Sequence, residues 1–176
     1  FRSMDIWHTC EPDKIGTEGW MGRAIRELDP KGENVLTGVN FGRGLPRALA
    51  APEVPVASVG NLETYGVLTG INDDQRGEAL DIFARMYSPA IGRSTVTDYL
   101  SRTGTDALHG ADTLSTAPEK YSSTVEYGNN SVAQYMRNIA QVHLAELGTR
   151  VLYTTAPYNS FDTHAGQLTA HSNLWT

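Results

Sequence analysis

Asp162 and His164 stand two residues apart in the segment Phe161-Asp162-Thr163-His164. A carboxylate and an imidazole are ligands suited to a divalent metal such as zinc or manganese. In an extended loop, alternate residues point to the same side, so both side chains can converge on one point. Gln167 and His171 follow four residues apart, which places them on one face of the helix expected there. The competing reading of the same residues is a helix-capping aspartate beside a solvated histidine. Arg43, between Gly42 and Gly44, and the nearby Arg47 could meet an anionic substrate, although loop arginines are more often simply hydrated.

These residues need elements to hold them. Val132, Tyr135, Met136, Ile139, Val142 and Leu147 form an apolar stripe at helical spacing, preceded by Asn129-Asn130-Ser131 as a cap and followed by Gly148. Thr149 to Thr155 then reads as a buried strand, expected to be central, with the helix packed on it. Helix, glycine and apolar strand in succession indicate an α/β layer fold, and ligand sites in such folds gather beyond the carboxyl ends of the strands. Asp162 and His164 follow that strand.

Upstream, Gly19 to Leu28 has helical spacing and ends at Asp29-Pro30-Lys31-Gly32. Val35 to Phe41 and Val54 to Val59 read as strands, with a helical turn or two between Leu45 and Ala51. Asn72-Asp73-Asp74 opens a helix whose apolar face is Ala79, Ile82, Phe83 and Met86, and Ser88-Pro89 stops it. A weaker helix is expected from Ser94 to Arg102. Gly104 to Gly128, rich in Thr, Ser, Gly and Asp, is expected to be irregular. Tyr121, Tyr127 and Tyr158 are loop aromatics that could line a cleft, with ordinary packing the default reading. His8 is expected to be half-buried, and His143 solvated.

Composition narrows the function classes. A chain of 176 residues with 40% hydrophobic and 19% charged residues can bury a core. Net charge −6, from 20 acids against 14 bases, with no clustered basic patch, argues against nucleic acid. No apolar run is long enough for a transmembrane helix. Cys10, the single cysteine, cannot form an intrachain disulfide and is expected to serve as a small apolar residue. Both termini read as though they cut through elements, so residues 1–176 are expected to be one domain that is an internal piece of a larger one. The alternative is a complete small domain. An interrupted sheet edge and the apolar Leu174 and Trp175 lead to the expectation of a homo-oligomer.

The segment Phe161-Asp162-Thr163-His164-Ala165-Gly166-Gln167, with His171 behind it, resembles the hallmark of a bacterial family called domain of unknown function 1501, sulfatase-like and within the alkaline phosphatase superfamily. Asp5-Ile6-Trp7-His8-Thr9, Gly19-Trp20-Met21-Gly22-Arg23, Gly44-Leu45-Pro46-Arg47-Ala48-Leu49 and Val56-Ala57-Ser58-Val59-Gly60 fit in the same order, so the resemblance spans nearly the whole chain. It implies a partial alkaline-phosphatase-like layer fold with helices on a mixed sheet. It also implies a parent hydrolase of phosphate or sulfate esters, with zinc, manganese or calcium held by residues among Asp162, His164 and His171. Gln167 and Arg43 would bind a small anionic ester. An exported or periplasmic location is the family's habit. The family's acidic first strand and its Ser-Glu-Phe-Gly-Arg and Asp-His-Gly segments do not occur in this sequence, which implies a centre only partly supplied by the chain, inactive by itself. The alternative function is a non-catalytic binding or oligomerisation module.

Overall fold

The computed structural model describes residues 2–66, 70–87, 94–156 and 161–175. Among the described residues three strands carry the fold: β1 (Gly38–Phe41), β2 (Val56–Val59) and β3 (Val151–Thr154), in the order β2-β1-β3. β1 pairs parallel with both neighbours, Gly38 opposite Val56 on one side and Val151 on the other. The sheet is therefore parallel among the described residues, not mixed, as expected when the connections carry helices.

The described residues also form seven helices: α1 (Arg2–Thr9), α2 (Trp20–Leu28), α3 (Asp73–Tyr87), α4 (Thr95–Leu114), α5 (Ala117–Lys120), α6 (Ser131–Leu144) and α7 (Gln167–Trp175), with a 3-10 turn at Arg47–Leu49. Because side chains alternate along a strand, the two faces of β1 meet different covers. Val39 and Phe41 are fully buried in a cluster with Leu114 of α4, Ala117 of α5, and Val142 and Ala145 at the end of α6. On the other face Gly38 lies under Ile25 of α2, whose Cδ1 stands 2.6 Å from where a Cβ would sit. Covered on both faces, β1 is buried at every position.

Charged side chains fasten the second cover. Arg23 donates to the Thr9 carbonyl at 2.8 Å and the Glu18 carbonyl at 3.0 Å. Arg26 makes a two-pronged contact with Glu18 at 3.1 Å on each prong, and that hydrogen bond first of all holds the Glu18 carboxyl below its ordinary pKa. Arg47 donates to the Gly16 carbonyl at 2.8 Å and pairs with Asp5. Arg47 is thus committed to the fold, which leaves Arg43 as the loop arginine open to a ligand.

Several expectations need correction. β3 lies at an edge of the described sheet, not its centre, and its four residues are only half-buried. β1 takes the centre instead, because its backbone is the one sandwiched between two covers. The helix α6 stops at Leu144, earlier than Leu147, since Glu146 adopts a positive φ of 54° there. Gly148 also has a positive φ, 76°, where a Cβ would strike the Asn34 amide at 2.6 Å. That amide donates to the Leu147 carbonyl at 3.0 Å and so steers the chain into β3.

The largest correction is to Gly104 to Gly128, expected irregular: residues 121–128 are irregular, but most of 104–120 is helical. Residues to Leu114 continue α4 and Ala117–Lys120 form α5. The buried positions of α4 are Ser101, Gly110, Ala111 and Leu114, mostly small residues whose stripe carries little hydrophobic signal. Ser94 caps its start, accepting from the Thr97 amide at 3.2 Å. Threonine hydroxyls that would compete with the helix bond back into it, Thr105 to the Ser101 carbonyl and Thr113 to that of His109, both at 2.9 Å. Gly110 lets Leu36 approach, with Leu36 Cδ2 3.4 Å from a would-be Cβ.

On α3, Ile82 and Met86 are exposed, 48% and 70%, so the expected apolar face is not a core face here. The stop at Ser88-Pro89 lies outside the described residues, as does Tyr158. Cys10 is exposed, not packed: it holds the left-handed position after α1, at φ 56°. His8 is half-buried and His143 exposed, as expected. Among the described residues no helix is long and apolar enough to cross a membrane.

Candidate functional site

The strand order 2-1-3 sends the chain from β1 out to β2 and then back past β1 to β3. In parallel sheets this change of direction opens a crevice beyond the carboxyl ends of the strands. At β1 that end is the turn Gly42-Arg43-Gly44. The buried Asn40 amide donates to the Gly44 carbonyl at 2.9 Å and the Ser58 hydroxyl at 3.2 Å, pulling the turn back over the sheet edge. Gly44 sits at φ 75°, a conformation that favours glycine. Arg43 is thereby presented, exposed, from a fixed base.

At β3, the Thr154 hydroxyl donates to the Phe41 carbonyl at 2.9 Å and ties the two strand ends together. The segment Phe161 to His164 and the helix α7 come next. α7 packs against α6, and the Asn130 amide, at the start of α6, donates to the Asn173 carbonyl at 3.3 Å.

Asp162 and His164 converge as their spacing predicts. His164 Nε2 stands 3.5 Å from Asp162 Oδ1, with side chains 92% and 72% exposed. With both side chains this exposed, the pair is weakly held and freely accessible. His171 is not drawn to it by any contact seen. Its ring packs on Phe161, centroids 5.1 Å apart, and Phe161 in turn lies 6.1 Å from Trp175. His171 Nε2 is enclosed and makes no hydrogen bond with the described residues. Gln167 and His171 do share one face of α7, lining a shallow apolar groove with Leu168, Ser172 and Trp175. Among the described residues no three His, Cys, Asp or Glu side chains gather around one point.

A second concavity was only half visible in the sequence. Tyr121 and Tyr127 were singled out as cleft aromatics, and they do meet: the Tyr121 hydroxyl donates to that of Tyr127 at 3.0 Å. Around them stand Ser122, Ser123 and, from α6, Gln134 and Arg137. The two α6 residues were missed because they lie on the polar side of a helix read for its apolar stripe. Their spacing of three, which places both on one face, was the available signal.

The chain matches no family model, no curated protein and no solved structure.

Proposed function

We propose that this chain is part of a metal-dependent hydrolase-like protein acting on phosphate or sulfate esters, on a partial alkaline-phosphatase-like layer fold, with Asp162 and His164 as ligands of a divalent cation. The observation that carries this is their 3.5 Å approach. Two ligand atoms each about 2.1 Å from a tetrahedral zinc ion lie about 3.4 Å apart. The pair thus has the span of two zinc ligands, and its exposure leaves room for the rest of a coordination sphere.

The chain's own residues divide the work. Asp162 brings negative charge to the cation, and His164 brings a lone pair that a proton would otherwise occupy. Arg43, beyond β1, and Gln167, at the start of α7, would engage an anionic ester. His171 acts behind them, bracing Phe161. A divalent cation, when bound, supplies Lewis-acid polarisation of the ester oxygen. Catalytic zinc sites use three protein ligands, so two ligands give weak binding and no efficient turnover.

Isothermal titration with Zn²⁺ is expected to show weak, saturable binding that falls at least about tenfold in Asp162→Ala and in His164→Ala. Turnover of an aryl phosphate or sulfate by the wild-type chain should stay at background. Zinc binding that both variants retain would refute the ligand assignment. Robust turnover abolished by Asp162→Ala would show that the chain holds a whole centre.

The second reading, a non-catalytic oligomerisation module, is favoured by a different feature. No described strand covers the outer edge of β3, and Leu168 and Trp175 on α7 are 83% and 66% exposed. Unpaired strand edges and apolar surface of this kind favour self-association. A homodimer burying more than about 1,000 Å² in total is expected by light scattering at micromolar concentration. A clean monomer mass would remove this reading.

A further inference from the structure

We propose that the concavity formed by Tyr121, Ser122, Ser123, Tyr127, Gln134 and Arg137 is a binding site for a tetrahedral oxyanion, the phosphate or sulfate group of a small molecule. It does not depend on any metal at Asp162 and His164. The lining is mostly polar, with Val125 also part of it, and it carries one guanidinium, two phenols and two serine hydroxyls.

The hydrogen-bond inventory shows which donors are free to face a ligand. Gln134 is occupied, because its amide donates to the Gly128 carbonyl at 2.8 Å. Ser123 is occupied as well: its Oγ accepts from the Val125 amide at 3.0 Å, and its hydroxyl is hydrogen-bonded to the Tyr121 phenol. The Tyr121 proton goes to Tyr127. Tyr127 therefore accepts one bond and keeps its own proton to give onward. The Tyr pair is thus polarised, with Tyr127 as the terminal donor. Its two rings are tilted by 53° at 6.5 Å, which holds the hydroxyls together.

Arg137 supplies the charge. It pairs with Glu63 at 3.7 Å, beyond hydrogen-bond length, with the Glu63 side chain 65% exposed. An oxyanion can replace this loose partner with a two-pronged contact, the geometry that arginine favours. The two phenols shift in opposite directions: hydrogen bonding with Ser123 and Tyr127 holds Tyr121 below the ordinary tyrosine range, and the bond with Tyr121 pushes Tyr127 above it, so Tyr127 stays protonated as a donor.

The test uses the whole chain, stripped of metal with a chelator. Inorganic phosphate, inorganic sulfate and phenyl phosphate are titrated in turn, with NMR signals of the Arg137 side chain and the tyrosine rings as readout. Saturable shifts confined to Tyr121, Tyr127 and Arg137 are expected. Arg137→Gln should weaken binding at least about tenfold, and Tyr127→Phe severalfold. Glu63→Gln should tighten it, because a competing carboxylate is gone. Tighter binding of phenyl phosphate than of inorganic phosphate assigns the site to an ester headgroup, and the reverse to the free anion. Absence of saturable shifts with all three probes overturns the proposal. So does binding that is unchanged in a folded Arg137→Gln protein.

Discussion

Phe41→Ala is expected to lower the unfolding free energy by about 3–5 kcal/mol, as deletion of a fully buried phenyl ring generally does. Phe41 is the largest fully buried side chain among the described residues and ends the central strand. Its ring belongs to the cluster that joins β1 to Leu114, Ala117 and Val142, so three helices lose contacts together. The cavity cannot close easily, because β1 is held by parallel partners on both sides. Total stability of a domain this size is about 5–15 kcal/mol, so the variant should be close to unfolding at 37 °C. Urea denaturation followed by circular dichroism measures it. A loss below about 1 kcal/mol would mean that Phe41 is not the keystone of the packed layer.

Gly19→Ala is expected to cost about 3 kcal/mol, toward the upper end of what overpacking a filled interior costs. A Cβ at Gly19 would lie 2.2 Å from the carbonyl oxygens of both Arg47 and Ala48. These are backbone atoms, which cannot swing aside as a side-chain tip can. Gly19 also donates its N–H to the Ala50 carbonyl at 2.7 Å, so the two segments cannot part without losing that bond. Gly77, inside α3 with open space around its Cβ position, is the control. Gly77→Ala should stabilise by about 0.5–1 kcal/mol, because alanine is the better helix former. Thermal denaturation of the two variants should move in opposite directions. A neutral Gly19→Ala would show that α2 and the 3-10 turn are not in close contact.

Both variants probe features that differ in how plainly the sequence announces them. The helix at 131–144, its Asn130 cap and the strand after it were legible, because large apolar residues at helical spacing leave a strong periodic signal. The helix at 95–114 was not, because its buried stripe is made of Ser101, Gly110 and Ala111. Those residues are small, and Gly110 lies against Leu36, so the buried face carries little hydrophobic signal. The apolar residues of α3 misled in the opposite way: Ile82 and Met86 have the right spacing yet stand in solvent. The place of β3 in the sheet depends on long-range pairing, to which local pattern is blind.

The candidate sites divide similarly. Convergence of Asp162 and His164 follows from a local two-residue spacing and was readable. That His171 instead packs on Phe161 depends on how α7 folds back, which no spacing reveals. Arg47 looked like Arg43 in sequence, and only the tertiary partners Asp5 and Gly16 distinguish them.

The most direct test of cation binding by Asp162 and His164 is a titration with paramagnetic Mn²⁺, observed through the ring proton signals of the five histidines. His164 is expected to broaden first, at substoichiometric Mn²⁺, with His8, His109 and His143 unaffected, and Asp162→Ala should abolish the effect. Uniform broadening of all exposed histidines, or selective broadening of His164 that persists in Asp162→Ala, would contradict a cation site built on this pair.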